Sequence, residues 1–108
     1  MNEEDYKRET EDLLLRLIAA GFQILSVDNG EEKTLWSPDL VNERGLHEEF
    51  VSETMACDES VVCVSDRNGK KSALYLVYGN GAGELVADYT ATAELEAVVD
   101  GFYEAHSV

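Results

Sequence analysis

The sequence predicts an α+β fold, a mainly antiparallel sheet of about five strands carrying N-terminal, central and C-terminal helices. Three features carry that expectation: an amphipathic opening free of proline and glycine, Asn-Gly turns set between apolar runs, and a closing segment with a helical apolar stripe. The 108 residues leave room for a single domain, 1–108, around one core. With 44% hydrophobic residues, such a core outweighs the entropy that keeps more polar chains disordered.

Glu3 to Ala20 carries Leu13, Leu14, Leu17 and Ile18 at helical spacing, with acids in the early turns where the helix dipole favours them. Gly21 is the expected C-terminal stop. Phe22–Val27 alternates as a strand, and Asp28-Asn29-Gly30 turns it into a second strand at Lys33–Trp36. Ser37-Pro38-Asp39 reads as a cap with proline at the first helical position; Gly45 is expected to interrupt, so a short turn precedes a helix from Leu46 to Ala56. Leu46, Phe50, Val51 and Met55 are its inward residues.

Ser60–Val64 is β-branched, Arg67-Asn68-Gly69-Lys70 is a hairpin turn, and Ser72–Tyr78 is the most strand-like run in the chain. Because that run offers apolar residues on both faces, it is expected at the centre of the sheet. After Gly79–Gly83, the alternation of Glu84–Tyr89 closes a meander. Thr90 or Thr92 then caps a final helix with Leu95, Val98, Val99 and Phe102 on one stripe. The order is therefore α-β-β-α-β-β-β-α.

Charge is the conspicuous property: 23 Asp and Glu against 8 Lys and Arg give a net of −15. An acidic surface repels nucleic acid and anionic membrane and favours basic partners, so direct nucleic-acid binding is the least favoured class. No apolar run approaches the roughly 20 residues of a membrane span, and the acidic N-terminus is unlike a signal region, which predicts a cytoplasmic protein. Cys57 and Cys63 have neither C-x-x-C spacing nor a second pair, which argues against zinc. Two buried free thiols are the expectation there, with a disulfide the alternative.

Catalytic patterns are weak throughout. The glycine-rich stretch 79–83 leads into a strand, not a helix N-terminus, and no Lys or Arg follows it, so a hairpin turn is a better reading than a phosphate cradle. His47-Glu48-Glu49 lacks a second histidine four residues on, where Val51 stands, and therefore is no zinc-protease helix. His47 is expected to be exposed and His106 to lie on a frayed terminus. No Gly-x-Ser-x-Gly elbow exists, and a cysteine nucleophile would depend on one of these two histidines. With so many acids, some carboxylate pair always falls at glycosidase-like spacing, so such pairs carry no argument for catalysis. The expectation is a non-enzymatic protein with no cofactor and no metal.

How the charge is distributed says more than its total. Residues 72–108 hold Glu84, Asp88, Glu94, Glu96, Asp100 and Glu104 and no Lys or Arg. Glu96, Asp100 and Glu104 recur every four residues, so their Cβ atoms lie about 5–6 Å apart on one helix face, at a cost of about 0.2–0.5 kcal/mol per like-charged pair. That spacing is close to the separation of successive phosphates, which makes mimicry of a nucleic acid feasible; an acidic surface kept only for solubility is the alternative. Glu48, Glu49 and Glu53, followed by Asp58 and Glu59, form a second cluster with no Lys or Arg between Arg44 and Arg67. Trp36 is the expected exposed anchor of an interface.

Leu76-Val77-Tyr78-Gly79-Asn80 and Glu84-Leu85-Val86-Ala87-Asp88-Tyr89-Thr90 resemble a pattern of small acidic proteins of phage, prophage and plasmid origin. The resemblance implies an inhibitor of host defence, of the anti-CRISPR or anti-restriction type, some of which look like nucleic acid to their targets. It assigns no residue a role. The leading expectation is a binding protein whose acidic helix faces (Glu96, Asp100, Glu104; Glu48, Glu49, Glu53) and Trp36 occupy a basic, nucleic-acid-binding surface of a protein partner. A small-ligand or enzymatic domain with a concave pocket is the second reading, and a module that dimerises through an exposed sheet edge is the third.

Overall fold

A computed structural model describes residues 3–31, 33–35, 44–79 and 84–106, with side chains in the central helix described from Glu48 onward. Three helices, α1 (Glu3–Ala19), α2 (Arg44–Thr54) and α3 (Ala93–His106), accompany five strands. The strands are β1 (Gln23–Asp28), β2 (Lys33–Leu35), β3 (Glu59–Ser65), β4 (Lys71–Val77) and β5 (Val86–Tyr89). They form one sheet in the order β2-β1-β3-β4-β5, with every neighbouring pair antiparallel. The predicted α+β class and element order are those observed.

Local chemistry accounts for the element ends. At the end of α1, Gly21 takes φ +88°, its N–H donates to the Ile18 carbonyl at 3.0 Å and the Phe22 N–H donates to Leu17 at 2.9 Å. These two hydrogen bonds cap the orphan carbonyls and bring buried Phe22 against buried Leu17. Asx turns shape both hairpins: the Asp28 carboxylate accepts from the Gly30 N–H at 2.9 Å, and the Asp66 carboxylate accepts from Asn68 and Lys70, each at 2.9 Å. Gly30 and Gly69 supply the positive φ at these two turns.

Ile24, Val27, Val62, Val64, Leu74, Leu76 and Val86 point to one face of the sheet and join Leu13, Leu14, Leu17, Phe50, Val51, Leu95, Val99 and Phe102 from the helices in one core. α1 packs against both other helices, α2 rests on β1, and the Tyr103 hydroxyl of α3 donates to the Val86 carbonyl of β5. The helix layer thus runs from α2 through α1 to α3 across one face.

Several sequence expectations need correction. β4 is an interior strand, paired with β3 and β5, as its apolar residues on both faces led one to expect, and β3 takes the middle place because the chain returns through α2 to set it beside β1. Gly45 lies within α2, which starts at Arg44 instead of Leu46 and ends at Thr54 instead of Ala56. The final strand begins at Val86, although the Leu85 carbonyl still accepts from the Val77 N–H at 2.9 Å. Both cysteines are free, but each is half-buried, not buried. The Ser37-Pro38-Asp39 turn lies outside the described residues.

A polar cluster ties α1 to the far end of β4. The Tyr78 and Thr10 hydroxyls are 3.0 Å apart, Thr10 donates back to the Tyr6 carbonyl at 2.8 Å, and the Tyr6 hydroxyl accepts from the Gly79 N–H at 2.8 Å. The Tyr6 and Tyr78 rings meet edge to face with centroids 5.6 Å apart. Tyr78→Phe is expected to cost about 1–2 kcal/mol, since its hydroxyl meets Thr10 and also the nearby Thr54, while Thr10 keeps its bond to Tyr6. Urea denaturation checks this, and an unchanged midpoint would show that the cluster contributes nothing to stability.

Candidate protein-binding surface

α3 is placed by its start and its stripe. The Thr92 hydroxyl accepts from the Leu95 N–H at 3.2 Å, which makes Thr92 the cap, while Thr90 accepts from the Ala73 N–H at 3.0 Å and extends β5 instead. Burial of Leu95, Val98, Val99 and Phe102 then turns Glu96, Asp100 and Glu104 outward, and all three are exposed. Of these, Glu96 and Asp100 lie on the flank of α3 that faces β5.

Contacts that no local pattern reveals join that flank to the sheet. Burial, then Glu96, Asp100 and Asp88, raise the Tyr89 phenol above its usual value of 10.0, so all three carboxylates lie within electrostatic reach of one hydroxyl. Tyr103 is raised in the same direction by burial, then by Tyr89, Asp100 and Glu84. Two phenols and the carboxylates of Glu84, Asp88, Glu96 and Asp100 thus share the β5 edge, with Glu104 one turn further along α3. Glu96→Gln with Asp100→Asn is expected to lower the Tyr89 midpoint in an NMR-monitored titration and to leave Tyr78, raised chiefly by burial in the core, in place. A Tyr89 midpoint that does not move would mean these carboxylates share no field.

The opposite flank of α3 is compensated, which the sequence did not suggest. The Arg16 guanidinium of α1 lies beside Gly101, and its Nε donates to Asp12 at 2.8 Å. His106 is not frayed: its Nε2 lies 2.7 Å from the same Asp12 carboxylate and its ring packs on Phe102 at a centroid distance of 4.6 Å. Burial pushes Asp12 up, yet Arg16 and His106 outweigh it and hold the carboxyl below its usual 3.8. Among the described residues, the ion pairs Arg8–Asp5, Arg16–Asp12 and His106–Asp12 all involve α1, and none reaches Glu96, Asp100 or Glu104.

The second acidic cluster does not form one face. Glu48 shares an open hollow with Lys7 and Glu3 of α1. Glu49 is exposed on the other side of α2, while Glu53 is half-buried and its carbonyl accepts from the Asn29 side chain at 3.3 Å. This cluster also lies at the β1 end of the helix layer, away from the acids at β5. Trp36 lies outside the described residues.

Among the described residues, no group of three or more His, Cys, Asp and Glu is placed to hold a metal, and no helix is long and apolar enough to cross a membrane. Burial, Glu31 and Asp58 raise the Cys57 thiol above its usual value, which disfavours the nucleophilic thiolate. No protein-family model, curated protein or solved structure matches the chain.

Proposed function

We propose that this is a small non-enzymatic binding protein, an inhibitor that covers the basic, nucleic-acid-binding surface of a protein partner in the manner of anti-CRISPR and anti-restriction proteins. The observation that carries this reading is the uncompensated edge at β5 and α3, where the exposed carboxylates of Asp88, Glu96 and Asp100 act together on the Tyr89 phenol in a stretch without Lys or Arg. The half-buried Tyr89 ring among carboxylates suits an interface, because a tyrosine offers flat apolar area and a polar tip. The field of a net charge of −15 would draw a cationic surface to this edge and speed its encounter.

Self-assembly through strand pairing has less support. The edge strands are three and four residues long, and β5 exposes Asp88, a device that discourages edge pairing.

Affinity capture from lysate of the encoding cell at low salt, eluted with a salt gradient, tests the proposal. The expected result is a nucleic-acid-handling protein bound stoichiometrically and released by moderate salt. Capture of no such protein, or of one that salt does not release, would contradict it.

A further inference from the structure

The register defines the sheet face turned away from the helices. Cross-strand pairs place Lys33, Asp28, Val61, Tyr75 and Asp88 in one row across β2, β1, β3, β4 and β5. Cys63 and Ala73 pair in the adjacent row, and Thr90 exchanges bonds with the Ala73 backbone at 3.0 Å; Glu59 pairs with Val77 on the other side. The residues between them in sequence, Val62, Leu74 and Leu76, are in the core, so this face carries Val61, Cys63, Ala73, Tyr75 and Val77, all half-buried. The packed helices contribute to the opposite face.

Within this stripe an open hollow of ≈ 220 Å³ is lined by Val61, Ala73, Tyr75, Asp88, Tyr89 and Thr90, among others. Its walls are an aliphatic floor, an aromatic ring and one exposed carboxylate, with a second carboxylate nearby: Glu59 acts on the Tyr75 hydroxyl and raises it above its usual value. Tyr89 and Asp88 belong both to this hollow and to the acidic edge beside α3, so the two surfaces are continuous around β5.

We propose that this sheet face is the specificity-determining half of the interface, and that its occupant is a basic segment of the protein partner bearing a Lys or Arg flanked by apolar residues. The aliphatic stem of that side chain lies over Val61, Ala73 and the Tyr75 ring, and its cation meets Asp88. Long cationic side chains bury their stems on apolar surface while keeping the head polar, and a guanidinium or ammonium gains further from an aromatic face. Charge selects among occupants: Glu59 and Asp88 lie near the hollow, whereas Lys33, opposite Asp28, and Lys71 lie further along the same face, and the chain's net charge of −15 disfavours both a second copy and the phosphates of a nucleic acid. The inference rests on the proposed binding function and adds to it where the partner is read.

NMR titration of the full protein with three synthetic pentapeptides separates the two levels. The probes are Lys-Val-Arg-Val-Lys, its glycine counterpart Lys-Gly-Arg-Gly-Lys, and the acidic Glu-Val-Glu-Val-Glu. The first is expected to shift the amides of Val61, Ala73, Tyr75 and Asp88, to bind more tightly than the second, and to lose about threefold to fivefold in affinity in Asp88→Asn, the size of a partly exposed ion pair. Shifts confined to Glu96 and Asp100 would overturn the sheet-face inference while leaving the acidic-edge function standing, and no binding of either basic peptide would count against both. Equal affinity for the acidic peptide, or a dimer seen by sedimentation with this face at its interface, would also overturn it.

Discussion

Phe102→Ala is expected to lower stability by about 3–5 kcal/mol, the cost of a cavity left by a buried aromatic side chain. Phe102 is fully buried, 0% exposed, and is the largest of the four side chains by which α3 enters the core. Its ring also supports His106 at 4.6 Å, so its loss loosens the link from the last turn of α3 to Asp12. Against a typical total of about 5–15 kcal/mol for a domain, the variant should be marginal, with a much lower urea midpoint. Ala105→Ser, at an exposed position on the same helix, should stay within about 0.5 kcal/mol of the parent. A loss below about 1 kcal/mol in Phe102→Ala would mean that α3 is not seated on the core as described.

The triple reversal Glu96→Lys, Asp100→Lys, Glu104→Lys is expected to weaken partner binding by roughly 3 kcal/mol, about a hundredfold in Kd, while leaving the circular dichroism spectrum unchanged. All three residues are exposed and none enters the core, so folding loses no packing. The reversed helix again carries like charges four residues apart, at a cost similar to the original. Each reversal removes an attraction to the basic partner and adds a repulsion, whereas the parent's field steers the encounter. The same reversal at Glu48 and Glu49 should matter less, because Lys7 lines the same hollow as Glu48 and these acids lie at the far end of the helix layer. Unchanged affinity in the α3 variant would remove that helix from the interface.

Much of the fold was legible because its signals are local. The stop at Gly21, the turns at Asn29-Gly30 and Asn68-Gly69, and the apolar stripe of α3 each depend on residues within a few positions of one another. Long-range pairing was not legible in this way. That β3 takes the centre follows from its pairing with β1, more than thirty residues earlier in the chain, and no periodicity in β4 could reveal it. His106 looked like a loose end because its partner Asp12 is 94 residues away. The candidate surface divides similarly: the outward direction of Glu96, Asp100 and Glu104 followed from helical spacing, whereas their grouping with Asp88 and Tyr89 depends on where α3 lies against β5. The second acidic cluster divides because Glu48 lines the flank of α2 that meets α1 at Glu3 and Lys7, whereas Glu49 and Glu53, four residues apart, share another flank.

The most direct test is a competition measurement on the captured partner, following its labelled nucleic acid by fluorescence anisotropy as the protein is added. Stoichiometric release of the nucleic acid by the parent, and none by the triple-lysine variant at the same concentration, is the expected result. A nucleic acid that stays bound while the protein occupies the partner would place the contact elsewhere and contradict occupation of the nucleic-acid-binding surface.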